Sequence, residues 1–239
     1  MRLPVPVLLG LLVAALAVLV SLGVWQLQRN EWKHDLVARS HQRTDAPPLD
    51  LATALTSGAD DVDFRRVVVT GEWLTDDVMF IANRVRASVR GEEIVIPVRV
   101  RDDLTVLVNF GWIPDGSRDD VLPEVLAEAG APVAGLALNL GDRTARRAPS
   151  GSWTAAAPTS MGAELGYEMA PWIVLAGDER TEAARAGDDL PVQGWQRFTS
   201  TTPHLEYALT WFGLALALVA IAGARFVIGP WRARPMDAP

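Results

Sequence analysis

The 239-residue chain has no cysteine and only three histidines. Without thiols there is no disulfide framework, no thiolate metal site and no redox-active cysteine pair. His34, His41 and His204 are the whole supply of imidazole, and a copper carrier would need cysteine or clustered methionine and histidine. Also missing are the HExxH, GxSxG, Walker A and dinucleotide-binding signatures. The carboxylates are scattered through loop-like stretches, so the chain reads as a non-enzyme. The net charge is −7 with no basic stripe, which argues against a nucleic-acid partner. No repeat of fixed period is visible.

What is present is apolar length. Twenty-three residues from Leu3 to Trp25 carry no charge, and 18 more from Tyr207 to Ala224 carry none. A hydrocarbon core of about 30 Å needs about 20 such residues in a helix. The first run ends in "GVWQLQRNEWK", which offers no small-x-small cleavage site, so a retained anchor is expected rather than a signal peptide. Pro4 and Pro6 fall in its first turns, where a missing N–H costs least.

Charge then sets an expected topology. Arg225, Arg232 and Arg234 follow the second run against a single Asp237, while residues 30–203 hold 17 Lys and Arg against 27 Asp and Glu. Positive flanks favour the cytoplasm, although Arg29, Lys33, Arg39 and Arg43 just after the first run weaken the bias. The expected layout is a multi-pass protein of the cell (plasma) membrane with both termini cytoplasmic. Residues 1–28 form the N-terminal transmembrane helix, 29–203 a β-rich extracytoplasmic domain, 204–228 the second transmembrane helix and 229–239 a cytoplasmic tail. A middle segment of about 170 residues is large enough to bury its own core.

Within that segment, "QLQRNEWKHDLVARSHQR" continues the first helix into water, with Trp25, Trp32, Leu36 and Arg43 near one face. From Phe64 the pattern changes. "FRRVVVTGEW", "VMFIAN", "EIVIPVRV", "LTVLVNFGWIP", "APVAGLALNL" and "EMAPWIVLAG" are short, branched and aromatic, and read as strands. "RVRASVRGEE" reads as a turn around Gly91, "SRDDVLPEVLAEAG" as a helix and "MGAELGY" as a helical turn. Pro97 inside a strand predicts an edge or a bulge. The expected fold class is α+β, two transmembrane helices flanking a β-rich extracytoplasmic domain whose antiparallel sheet is open or barrel-like.

Several groups are candidates for a site or a contact. Gly213, Ala217, Ala220 and Ala224, with Gly10, Ala14 and Ala17, form small-residue stripes that predict packing between the two spans. His34 and His41 share a helix face, as surface residues do more often than metal ligands. Arg143, Arg146 and Arg147 could dock an acidic partner or a propionate, but a flexible solvated loop is the favoured reading. His204 marks the outer end of the second span, level with Trp25, Gln26 and Arg29. Imidazole is a good axial ligand for haem iron, and arginine suits a propionate. One histidine does not make a cofactor site, and from chemistry alone an interfacial anchor after Pro203 is the simpler reading.

Four stretches carry a resemblance. "LGVWQLQRNEWKHDLV", "FRRVVVTGEW", "VLVNFGWIP" and "PHLEYALTWFGLA" are similar to the ordered motifs of the SURF1/Shy1 cytochrome oxidase assembly proteins. The likeness covers both spans and the first half of the middle segment. Phe110 departs from it, standing where an arginine is common, as does "RVRASVRGEE"; residues 141–189 match nothing in it. The resemblance implies a membrane assembly factor for aa3-type cytochrome c oxidase that binds haem a and aids its insertion into oxidase subunit I. It implies partnership with subunit I, with the haem a synthesis machinery and with the lipid bilayer. His204 becomes the expected iron ligand, with Trp25, Gln26, Arg29, Tyr207 and Trp211 as neighbours. A scaffold that holds oxidase intermediates without touching haem is the alternative. A two-span ligand sensor is disfavoured, because the expected tails are too short for an output domain.

Overall fold

The structure, a computed structural model, describes residues 4–56, 61–181, 189–200 and 202–228. The expected cytoplasmic tail, with Arg232, Arg234 and Asp237, and residues 182–188 of the charged "DERTEAARAGDD" stretch lie outside the described residues. The chain divides into two compact units, Met1–Ala38 with Thr199–Pro239, and Arg39–Phe198.

One continuous helix, α1 (Val5–Asp45), contributes to both units. The unit Arg39–Phe198 then contains β1 (Leu49–Asp50), α2 (Leu51–Thr56), β2 (Arg66–Val69), β3 (Glu72–Trp73), β4 (Met79–Arg86), β5 (Val89–Arg101) and β6 (Leu104–Pro114). It continues through α3 (Arg118–Ala127), β7 (Val133–Asn139), α4 (Pro158–Leu165) and β8 (Met169–Ala176). The strands form one sheet in the order β1-β2-β7-β8-β6-β5-β3, with β4 also beside β5. The pairs β1/β2 and β6/β8 are parallel and the other strand pairs are antiparallel. The sheet is therefore mixed rather than wholly antiparallel. The chain runs through α3, β7 and α4 between β6 and β8, and such a crossover lets two strands run the same way.

The sheet curls into a half-barrel, and "FRRVVVTGEW" shows why. The segment reads as one strand but is two. Val69 ends β2, which pairs with β7 toward one side of the sheet, while Glu72 begins β3, which pairs with β5 at the other. Three residues span at most about 10 Å, so the two sides must come close. The step is made at Gly71, where a Cβ would lie 2.3 Å from the carbonyl oxygen of Arg99. No larger residue fits there.

The β4–β5 hairpin also corrects the sequence reading. Its turn is Ala87-Ser88, both at positive φ (47° and 65°), and Gly91 lies inside β5 opposite Pro114. A two-residue turn of this hand is normally Asn-Gly or Asp-Gly, so Ala-Ser gives no turn signal. Gly91 is needed for close approach instead: a Cβ would fall 2.1 Å from the Ile113 carbonyl oxygen and against the Trp112 indole. Pro97 sits where the outer partner of β5 changes from β4 to β3. Val95 pairs with Met79 and Val98 with Trp73, and the Pro97 carbonyl accepts the N–H of Leu74. Its missing donor therefore faces the break.

Apolar residues fill both faces of the central strands. Ile94, Ile96 and Val98 of β5 and Val106 and Val108 of β6 point into one cluster with Val121 and Val125 of α3. Val95 and Leu107 point into a second with Trp153, Ile173 and Met161 of α4. Two-sided burial explains why β6 reads as an unbroken apolar run rather than an alternating one. Among the described residues one carboxylate is buried. Glu92, 5% exposed, accepts from Nε and Nη2 of Arg118; Nη2 also donates to Ser152 Oγ, and the guanidinium lies 3.8 Å over the Phe80 ring.

Candidate functional site

The unit formed by Met1–Ala38 and Thr199–Pro239 contains the N-terminal part of α1 and the helix α5 (His204–Gly223). Both helices are long and apolar enough to cross a membrane. Helix α5 begins directly after Pro203, whose ring cannot continue a helix upstream but whose carbonyl accepts the Tyr207 N–H.

The face that α5 buries is set by helical spacing. His204, Ala208 and Ala215 are buried, and Trp211, Phe212 and Leu218 are half-buried. On α1 the shielded positions are Leu12, Leu16, Leu19, Gly23, Gln26, Asn30 and Lys33, three and four apart. A close approach falls at Gly23, where a Cβ would lie 2.6 Å from the Phe212 ring. The two helices thus pair, but not through the expected stripes. Gly10, Ala14, Ala17, Gly213, Ala217, Ala220 and Ala224 are all exposed, and among the described residues nothing lies within 4 Å of a Cβ at Gly10 or Gly213. At about 100° per residue, position 213 is half a turn away from His204. The polar contact made by His204 fixes which face turns inward, and small residues elsewhere are left outside.

His204 is 8% exposed, and its Nδ1 lies 2.8 Å from Oε1 of Gln26 on α1. A glutamine carbonyl oxygen only accepts, so Nδ1–H donates. The other ring nitrogen, Nε2, is shielded and has no hydrogen-bond partner among the described residues. About two turns further along the same face of α1, Lys33 Nζ donates to Thr202 Oγ1 at 3.0 Å. A polar seam of Gln26, His204, Lys33 and Thr202 therefore closes this end of an otherwise apolar helix pair.

The other expected neighbours are distributed around this seam. Trp211 is half-buried, seven residues along α5 on the side of His204. Arg29 lies one turn from Gln26, with its guanidinium 4.1 Å over the Trp32 ring. Trp25 and Tyr207 are 53% and 49% exposed. They turn away from the pair and suit the aromatic belt at a membrane surface. Of the six residues singled out, the structure joins Gln26 to His204 directly.

The remaining candidates lie in the other unit or apart. His41 Nε2 is 3.0 Å from the Phe198 carbonyl oxygen, and His34 is exposed. Among the described residues no group of three or more His, Asp and Glu side chains is placed to hold a metal ion. Arg147 is tied to the Gly151 carbonyl and to Glu164. Sequence reasoning missed Phe212 as the partner of Gly23, and the Glu92–Arg118 pair, since "RGEE" looks like a solvated turn.

Comparison with known proteins bears on the same residues. A sequence model of the SURF1 family matches residues 13–216, from within α1 to beyond Ala215. The chain belongs to the SURF1 family. A SURF1-like protein of Rickettsia conorii is 25% identical over 211 residues, covering 85% of this chain and 85% of its own. The mouse Surfeit locus protein 1 is 28% identical over 230 residues, covering 87% of this chain and 72% of its own. The yeast cytochrome oxidase assembly protein SHY1 is 31% identical over 121 residues, covering 49% of this chain and 30% of its own. The SURF1 match takes in both helices of the pair, and with them Gln26 and His204.

Proposed function

We propose that the protein is a membrane assembly factor for aa3-type cytochrome c oxidase that holds haem a as cargo and aids its insertion into subunit I. The observation that carries the haem reading is the Nε2 atom of His204, buried without a partner among the described residues and beside an apolar helix face. An unpaired buried polar nitrogen is costly, and coordination of iron would satisfy it. The oxidase reading is supported by membership of a family that includes a protein named for cytochrome oxidase assembly.

The chain's own residues fit such a cargo. His204 would ligate the iron and Trp211 offers an apolar wall. Arg29, exposed at the helix-pair end, offers a guanidinium for a propionate. The haem supplies the redox centre of the oxidase, and the role of this protein is non-catalytic. The two helices anchor it in the cell membrane with both termini cytoplasmic and the half-barrel outside, where it meets subunit I and the haem a synthesis machinery.

Deletion of the gene tests the reading. Membranes of the deletion strain should lose a large part of their haem a absorbance while subunit I is still synthesised, and the wild-type chain should restore it. Unchanged haem a absorbance would overturn the assembly role.

A further inference from the structure

We propose that Gln26 is the positioning residue for His204, selecting which ring nitrogen carries the lone pair and how strongly it donates. This rests on the reading of His204 as the iron ligand.

A neutral imidazole has one N–H and one lone pair, and either nitrogen can hold either. Gln26 Oε1, 2.8 Å from Nδ1, removes the choice: the proton sits on Nδ1 and the lone pair on Nε2, the nitrogen left without a partner among the described residues. The two residues come from different helices, 178 positions apart in sequence. One hydrogen bond thus joins α1 to α5 and prepares the ligand. The surroundings make the bond hard to replace. Ala208 and Gly23 lie one turn from each partner, Phe212 packs at Gly23, and little water reaches the ring.

The acceptor is an amide rather than a carboxylate, and that difference has a consequence. A carboxylate on the far nitrogen raises the basicity of a metal-bound imidazole. A neutral amide orients the ring with less polarisation and leaves Nε2 a moderate donor. Moderate donation suits a site that must give its cargo up.

The test uses the full-length protein in detergent, with histidine labelled with 15N, and ferric haem as the probe. Only three imidazoles contribute, and His34→Ala and His41→Ala identify the signals of the other two. The haem-free wild type should show His204 protonated at Nδ1 and unprotonated at Nε2. Gln26→Leu should give mixed tautomers and lower haem affinity about tenfold or more. Gln26→Glu should keep the Nδ1–H tautomer, which shows that the helix pair is intact. It should also slow haem transfer to apomyoglobin about tenfold. A wild-type ring protonated at Nε2, or a Gln26→Leu ring unchanged from wild type, would overturn the assignment. Equal transfer rates for wild type and Gln26→Glu would overturn the donor-strength half of it. Failure of the wild type to bind haem at all would overturn the ligand reading instead, and the tautomer signals would still decide the role of Gln26.

Discussion

The ring of Phe212 on α5 lies over Gly23, the α1 position at which a Cβ would fall only 2.6 Å from ring atoms Cε1 and Cζ. A bulky side chain on one helix fills the space left by the missing one on the other. In a bilayer, where no hydrophobic force draws helices together, packing of this kind is a main source of association.

Gly23→Ala should therefore destabilise the helix pair by about 1–3 kcal/mol. Phe212→Leu should recover part of that loss in the double variant, giving a coupling energy of about 0.5–3 kcal/mol. Gly213→Ala should change little, because nothing stands within 4 Å of its Cβ position. Detergent unfolding titrations of the four chains measure the cycle. Strict additivity of Gly23→Ala and Phe212→Leu would contradict the contact.

In the half-barrel, Arg118→Ala would leave the Glu92 carboxylate buried with no cation beside it. Loss of one partner of a buried pair costs about 3–5 kcal/mol. Arg118 is itself partly exposed, so the lower end is expected. Arg118→Lys should cost less but lose the two-pronged contact, the bond to Ser152 and the stacking on Phe80. Thermal melts of the purified chain check the order: Ala worst, Lys intermediate.

Asp63 gives a pH-dependent effect of defined sign. Burial raises its carboxyl above the ordinary carboxylate range, with the Asp61 charge adding to the rise and the Asn139 N–H opposing it. The folded chain then holds that proton more tightly than the unfolded chain. Stability from this group is lost as pH rises through the raised value and regained as pH falls through it. Asp63→Asn keeps an oxygen for the Asn139 N–H and removes the charge. It should raise the melting temperature at neutral pH by the equivalent of up to about 1 kcal/mol. The gain should vanish by about pH 3.9, the ordinary aspartate value. A gain that persists or grows in acid would contradict the sign.

Much of this architecture is written in local pattern. The β6 strand runs over Leu104–Pro114 as its apolar run predicts, α1 continues past the apolar segment to Asp45, and the β5–β6 pair is antiparallel. What the pattern hides is pairing at a distance. Nothing in "FRRVVVTGEW" says that its two halves join different strands, because a strand's apolar face does not name its neighbour. Ala87-Ser88 carries no glycine to announce a turn, while Gly91 looks like a turn and serves close approach. At the site, His204 was legible as an oddity at a span boundary, and Gln26 as a nearby residue. That Gln26 rather than Trp25 faces it follows from a 100° rotation per residue about α1, which only the packed pair fixes. The same rotation explains why stripes of small residues, read from side-chain size at helical spacing, lie on the outer faces.

The central claim is that His204 is placed at the start of α5 to ligate haem iron, and the absorption spectrum of the purified protein, co-expressed with the enzymes of haem a synthesis, tests it most directly. The wild type should carry a haem a spectrum, His204→Ala should lose it or retain about a tenth or less, and His34→Ala and His41→Ala should match the wild type. A folded His204→Ala chain with the wild-type haem spectrum would contradict the account and leave His204 as an interfacial anchor bonded to Gln26.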